Sequence, residues 1–222
     1  VSVDLYPRLR RMAFRPWVDG ELLPADPEAI ADRGAAVPLL IGFNRDEQRL
    51  YLSPLRRVSD SELTKLVLRR TPEPARVIEF FRDRLGGSIN PNAAVLAAVE
   101  TEVRYRQPAL RYAAARGGNT WLYRFNWRSP ALKGWLGACH ALEIPFVFGT
   151  PRADPATRKF VGSGAGPAIR IVQHIWTCFA RSGRPPDWWP AAPRIAEVYP
   201  GAAARITDPA DDFADSVTWR TI

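Results

Sequence analysis

Two stretches of the chain have the apolar pattern of buried β-strands. Residues 36–44 form a continuous apolar run that ends in turn-forming residues, which is typical of a strand buried on both faces of a parallel sheet. Residues 120–127 are rich in aromatic and β-branched side chains and nearly alternate, so they predict a second strand. Near the end of the chain, residues 204–208 and 215–219 fit short edge strands or turns.

Four segments carry apolar residues at helical spacing, and a short helical turn is predicted at residues 27–32. The third segment is the longest, because it covers residues 93–106 and continues to residue 116 past a break at Pro108. The fourth is amphipathic and ends at a glycine. The residues predicted to begin these helices are, in chain order, Ser59 or Ser61, Pro74, Asn92 and Pro167.

Strands and helices that alternate along a chain predict an α/β fold. Only two strands are strongly marked here, and an open parallel sheet needs further strands to cover its edges. We therefore expect an incomplete sheet with flanking helices. A chain with such a sheet should fold poorly alone, because its apolar strand edges would be exposed.

The composition is that of a globular protein, since 46% of the 222 residues are hydrophobic. The formal net charge is +8, but 28 of the 31 basic residues are arginines spread along the whole length. A nucleic-acid-binding protein concentrates its basic residues in a patch or stripe, so we do not expect nucleic acid as a partner. The sequence has no continuous apolar window of the length that a bilayer requires, so no membrane span is expected.

His140 is one of two histidines, and it lies between a turn of small residues and the apolar run of residues 144–148. A histidine acts as a general base at neutral pH when a carboxylate orients its ring and stabilises the imidazolium. Asp46 and Glu47 directly follow the first predicted strand, and α/β enzymes place functional groups at such strand ends. The residues alone leave both carboxylates open as the partner of His140.

The other polar candidates are expected to be structural. His174 lies on the fourth predicted helix, and Glu143 is expected to be a buried partner of backbone or arginine groups. Cys139 is adjacent in sequence to His140, so their side chains should diverge, and a Cys-His dyad is not expected. Cys139 and Cys178 form neither a metal-ligand pattern nor a Cys-x-x-Cys motif.

The segment VPLLIGFNRDEQRLYL, followed later in the chain by GACHALEIPFVFG, resembles the C-terminal half of a type-B carboxylesterase. This family of α/β-hydrolases includes para-nitrobenzyl esterases and cholinesterases. Its G-x-N-x-D-E-G loop supplies the acid of a Ser-Glu-His triad, and its H-x-x-E segment supplies the histidine. The resemblance places the acid on Glu47 and the base on His140, in the family's chain order. Gln48 replaces the usual glycine after the acid.

The resemblance implies acyl transfer to a serine and hydrolysis of a small-molecule ester, with no metal or organic cofactor. The G-x-S-x-G nucleophile elbow and the glycine-rich oxyanion loop of the family are absent from residues 1–222. We therefore expect residues 1–222 to be the C-terminal part of one esterase domain and to be inactive alone. The N-terminal part of the same protein would supply the serine and any export signal.

Leu50, Tyr51 and Leu142 flank the two triad positions, and we expect them to line the substrate pocket. The alternative to an esterase is a non-enzymatic relative that uses the same fold to bind other proteins.

Overall fold

The computed structural model describes residues 16–85, 87–198, 204–207 and 217–220, and these contain one four-stranded sheet. Its strands lie side by side in chain order, with the first three parallel and the last antiparallel to its neighbour. The strands are β1 (Leu39–Asn44), β2 (Thr120–Phe125), β3 (Ile195–Val198) and β4 (Ala204–Thr207). Parallel neighbours cannot be joined by a hairpin, so each parallel pair is connected through helices.

The first connection contains α1 (Asp60–Leu68), α2 (Pro74–Leu85), α3 (Pro91–Thr101) and α4 (Gln107–Arg116). The second contains α5 (Ile144–Val147), α6 (Pro155–Val161) and α7 (Gly166–Ser182). The described residues also include short 3₁₀ segments at Pro27–Gly34, Glu47–Leu50 and Ala131–Gly134, and a π-helical turn covers Glu102–Arg106. In the described part of the chain, no helix has the length and apolar character needed to span a bilayer.

The register of β1 and β2 places their carboxyl ends at the same edge of the sheet. Leu39 lies opposite Thr120, and Asn44 lies opposite Phe125. Midway along this pair, Gly42 lies opposite Tyr123, whose ring covers the glycine. A Cβ atom at Gly42 would overlap with that ring, so the close approach requires glycine. The loops that follow β1 and β2 therefore emerge together.

Both faces of the sheet are buried. Trp121 and Phe125 point into the larger hydrophobic cluster, which also contains the helix residues Val95 and Ile175. Leu122, between them in sequence, packs into a smaller cluster on the opposite face. Because side chains alternate across a strand, this arrangement explains why the apolar runs of β1 and β2 are nearly continuous.

One helical rod is formed by α3, the π turn and α4. The backbone stays helical through the π turn, and the N–H of Gln107 donates to the carbonyl of Glu102. The predicted break at Pro108 is therefore wrong, because the backbone stays helical from α3 through the π turn into α4, which contains the proline. The N-cap prediction is also wrong. Asn90, not Asn92, caps α3 by accepting a hydrogen bond from the N–H of Ala93 at 3.3 Å.

Both strongly marked strands, the other three helices and the edge strand near residue 204 are confirmed, with Ser59 as the cap of α1. The predicted turn at residues 27–32 is a 3₁₀ helix. Residues 217–219 are not a strand, and residues 215–216 lie outside the described residues. β3 was not predicted, because it has only four residues and includes the charged Glu197. That carboxylate is buried and lies 3.3 Å from the guanidinium of Arg124.

Candidate active site

Glu47 and His140 meet at the carboxyl edge of the sheet. Glu47 opens the 3₁₀ turn that directly follows β1, and its Oε2 lies 2.7 Å from Nδ1 of His140. The backbone N–H of His140 also donates to the carbonyl of Glu47 at 3.3 Å. The Glu47 side chain is only 7% exposed, whereas the His140 side chain is 42% exposed. The pair therefore joins a buried acid to an accessible base.

This contact defines how the imidazole is oriented. A carboxylate oxygen accepts hydrogen bonds, so Nδ1 carries the proton that is donated to Glu47. Nε2 of His140 then has the lone pair, and no described residue forms a hydrogen bond with it. An exposed, unprotonated ring nitrogen that is backed by a carboxylate is what a general base requires.

Asn44, the last residue of β1, ties the acid to the histidine loop. Its backbone N–H donates to Oε1 of Glu47 at 2.7 Å. Its side-chain amide donates to the carbonyl of Cys139 at 2.8 Å and to the carboxylate of Glu143. Both oxygens of Glu47 are thus occupied, and the residue before His140 is fixed to the sheet. The partner of Glu143 is a side-chain amide rather than the backbone or arginine group expected from the sequence.

Burial raises the pKa of the Glu47 carboxyl group, and the negative charge of Glu143 adds to the rise. The hydrogen bonds from Asn44 and His140 act in the opposite direction, because they stabilise the ionised form. A carboxylate that has lost most of its water interacts strongly with a nearby positive charge. Glu47 is therefore well placed to stabilise an imidazolium on His140.

Asp46 faces the histidine loop at a different point. Its Oδ2 accepts a hydrogen bond from the N–H of Ala138, and its own N–H donates to the carbonyl of Ala138, both at 2.9 Å. Its other oxygen lies 3.4 Å from the guanidinium of Arg49, which is also buried. Through these contacts, Asp46 holds the loop after β1 against the loop that carries His140. Of the two adjacent carboxylates, Glu47 is the one that contacts His140.

Close contact between these loops depends on Gly137. Its φ is 55°, a left-handed conformation, and a Cβ atom there would overlap with Oδ2 of Asp46. Ala141, on the other side of His140, also has a positive φ, of 64°. The histidine is therefore presented by a tight loop whose backbone is fixed on both sides.

Two tyrosine rings lie beside the imidazole. The centroids of Tyr51 and Tyr105 are each 5.6 Å from that of His140. Burial raises the pKa of the Tyr105 hydroxyl to about 12, with further contributions from Tyr51 and Glu47. Sequence reasoning missed Tyr105, because the π turn that carries it sets its direction and that turn has no clear sequence signal.

The predicted pocket residues have different environments. Leu50 and Tyr51 are 41% and 57% exposed and follow Glu47 in the chain, so they are accessible near the pair. Leu142 is fully buried in the larger hydrophobic cluster. In the described structure Leu142 therefore has no exposed surface near the pair.

The remaining candidates are Cys139 and His174. One is chemically unreactive, and the other lies away from Glu47 and His140. Cys139 is fully buried, and burial raises the pKa of its thiol to about 12, so it is a poor nucleophile. His174 is exposed on α7, where its ring nitrogens lie 3.7 and 3.8 Å from the sulfur of Cys178. Among the described residues, no group of three or more histidine, cysteine, aspartate or glutamate side chains is arranged to hold a metal ion.

Solved structures share this architecture. A carboxylesterase of Geobacillus stearothermophilus superposes with a TM-score of 0.75 at 25% identity, over 96% of this chain and 47% of that chain. A para-nitrobenzyl esterase structure gives a TM-score of 0.69 at 24% identity, over 97% of this chain and 48% of the other. The small, mainly parallel sheet with its helical connections is thus part of an α/β-hydrolase fold.

The family follows from the sequence comparison. The model of the carboxylesterase family matches residues 4–199, and the chain belongs to that family. The para-nitrobenzyl esterase of Bacillus subtilis (strain 168) is 30% identical over 192 residues, which cover 82% of this chain and 37% of the relative. Neuroligin-3 of Mus musculus is 26% identical over 210 residues, covering 83% of this chain and 26% of the relative. The chain spans less than half the length of each of these relatives.

Proposed function

We propose that this chain is the C-terminal part of a serine carboxylic-ester hydrolase, to which it contributes the acid and the base of a Ser-Glu-His triad. The observation that carries the proposal is the 2.7 Å contact between buried Glu47 and Nδ1 of accessible His140. The serine and the oxyanion-stabilising groups come from an N-terminal part of the same protein. This chain joined to that part is called the whole protein.

The geometry supports a defined role for each residue. Nε2 of His140 takes the proton of the serine hydroxyl as the serine attacks the ester carbonyl, and later gives it to the leaving alcohol. Glu47 keeps the proton of His140 on Nδ1 and stabilises the imidazolium that forms. Water then attacks the acyl-enzyme with the same histidine as base. These steps require no cofactor.

The sheet has an open edge at β1, which supports the proposal that the protein has a second part. β1 pairs with β2 on one side, and no other described strand pairs with it. Leu39, Leu40 and Ile41 are only partly buried, whereas Trp121 and Leu122 of the next strand are buried. An apolar strand with an open edge is an aggregation hazard that proteins normally cover. We infer that the other part of the protein supplies a neighbouring strand.

The substrate class follows from the side chains near the pair. Tyr51 offers aromatic surface beside His140, and exposed Leu50 precedes it in the chain, which suits the apolar acyl or alcohol group of a small ester. The alternative, a non-enzymatic interaction domain, does not require an oriented general base. The hydrogen-bonded acid and the accessible Nε2 favour the enzyme.

The test begins with the gene. The sequence upstream of Val1 should encode a G-x-S-x-G segment, and the whole protein should hydrolyse a short-chain aryl ester with an initial burst from the acyl-enzyme. The chain alone, assayed in parallel, should show no turnover. If the upstream sequence lacked the serine motif and the whole protein had no esterase activity, an interaction domain would replace the enzyme as the proposed function.

A further inference from the structure

A cleft of about 300 Å³ lies among the end of α2 and the loops that follow β1 and β2. It is lined by five cationic residues, and no aspartate or glutamate is among the described residues of its wall. The five are Arg45, Arg49, Arg84, Arg128 and Lys133. Because they come from separate segments of the chain, the fold brings together charges that repel each other.

Several arginines elsewhere in the structure have a carboxylate partner. Examples are the contacts of Arg70 with Glu100, Arg56 with Glu62, Arg82 with Asp60 and Arg111 with Glu28. Within the described residues, Arg84, Arg128 and Lys133 have no ion pair. Arg45 and Arg49 share a single carboxylate, that of Asp46, at 3.7 and 3.4 Å. The cleft therefore has a large excess of positive charge.

Two of the arginines are held in place. Arg49 is 6% exposed, donates to the carbonyl of Trp135 at 3.0 Å and lies over the ring of Trp135. The guanidinium of Arg84 lies 4.2 Å from the centroid of the Phe80 ring. Burial lowers the pKa of Arg49; the charge of Asp46 opposes this, whereas Arg128 and Arg45 add to it. Arg49 is thus close enough to Arg128 and Arg45 for their charges to repel.

We propose that this cleft binds a small multivalent anion that carries phosphate groups. A planar carboxylate is satisfied by one guanidinium fork, whereas tetrahedral phosphate oxygens accept hydrogen bonds from several directions at once. Cationic side chains that line one cleft from the end of α2 and from the loops after β1 and β2 suit the second geometry. The volume suits a small molecule. The proposal is independent of the esterase activity, since none of the five residues contacts His140 in the described structure.

The experiment is a calorimetric titration of the whole protein with pyrophosphate at low salt. We expect one site per chain, and the double variant Arg84→Gln/Arg128→Gln should weaken binding by about tenfold or more, since two charge-assisted contacts are lost. The matched control is Arg57→Gln/Arg69→Gln, which removes the same charge from exposed positions outside the cleft. The control should bind like the wild type. All variants should retain a cooperative melting transition and the wild-type esterase rate.

Three results would overturn the proposal. The first is the absence of pyrophosphate binding, and the second is equal weakening in the control, which would mean that affinity follows net charge alone. The third concerns the source of the phosphate groups. If vesicles containing phosphatidic acid bound in a cleft-dependent manner while soluble pyrophosphate did not, the site would be a membrane contact instead of a small-molecule site.

Discussion

Asp46 and Glu47 are adjacent in sequence, yet their carboxylates contact the histidine loop at two separate points. Asp46 accepts a hydrogen bond from the N–H of Ala138, and Glu47 contacts the ring of His140. The backbone N–H of Asp46 and that of His140 complete the pairing of the two loops. One carboxylate thus fixes the loop, and the other is left to act on the imidazole.

This division predicts unequal effects of substitution in the whole protein. His140→Ala should lower kcat by about 10⁴ with little change in KM, because the base is lost while binding remains. Glu47→Gln should cost less, because the histidine remains but loses the charge that stabilises its imidazolium. Asp46→Asn should cost less than about tenfold, since an amide can still accept from Ala138. The measurement is steady-state hydrolysis of a short-chain aryl ester.

His174→Ala is the control for these variants, because His174 lies on α7 and is not in contact with Glu47. Its kcat should stay close to that of the wild type. The assignment would be wrong if Asp46→Asn were as damaging as His140→Ala while Glu47→Gln had no effect.

The tight loop before His140 predicts a strong effect of Gly137→Ala. The new Cβ would overlap with the Asp46 carboxylate, and the left-handed backbone disfavours alanine, so stability should fall by about 2–4 kcal/mol. Gly134→Ala is a matched control, because Gly134 also has a positive φ but no neighbouring atom lies within 4 Å of where a Cβ would be. It should cost only about 1 kcal/mol. Chemical denaturation measures both, and equal losses would show that backbone conformation alone explains the requirement for glycine.

The sequence predicted β1 and β2 because each contains a run of apolar or aromatic residues that pack on both faces of the sheet. It missed β3, where the buried Glu197 is compensated by charge contacts that only the folded chain provides. Asn90 could have been recognised as the cap of α3, since Pro91 follows it and proline favours the first helical position. Instead, Asn92 donates to the carbonyl of Val58 and links α3 to the segment before α1.

Only the site residues that belong to a sequence motif could be predicted from the sequence. Glu47 and His140 follow from the resemblance, and so does their chain order. The contact of Tyr105 with His140 depends on a single π turn, and the burial of Leu142 depends on how its loop packs on the core. Neither property is local, so no pattern of residues in the chain indicates it.

Glu100 predicts a pH-dependent contribution to stability. Burial alone would raise the pKa of this carboxyl group, but hydrogen bonds from Arg70 and Arg104 outweigh it and lower the pKa below its ordinary value. The folded state therefore binds its proton less tightly than the unfolded state. The resulting stability is fully present above the unfolded pKa and is lost as pH falls through the folded pKa.

Glu100→Gln should accordingly destabilise the protein by about 1 kcal/mol at pH 7, because the ion pairs are partly exposed and screened. The difference from the wild type should shrink at pH values below the lowered pKa. Melting curves at several pH values test this expectation. Glu73→Gln, which removes an exposed pair with Arg76, is the control and should change little at any pH. A Glu100→Gln effect that did not depend on pH would point to packing instead of charge.

Tyr105 is predicted to position His140 through its ring. Tyr105→Ala should lower kcat about tenfold with little change in KM, because an imidazole that leaves its productive orientation catalyses less well. Tyr105→Phe keeps the ring and should restore most of the rate.

Tyr112→Ala is the matched control, because Tyr112 lies on the same helical rod but has no ring contact to His140 in the described structure. NMR of the imidazole signals gives a second readout, with the His140 and His174 signals assigned by their loss in His140→Ala and His174→Ala. The Tyr105→Ala variant should broaden the His140 signal and leave that of His174 unchanged. A variant that lost stability while kcat and the His140 signal stayed the same would show that Tyr105 is only a packing residue.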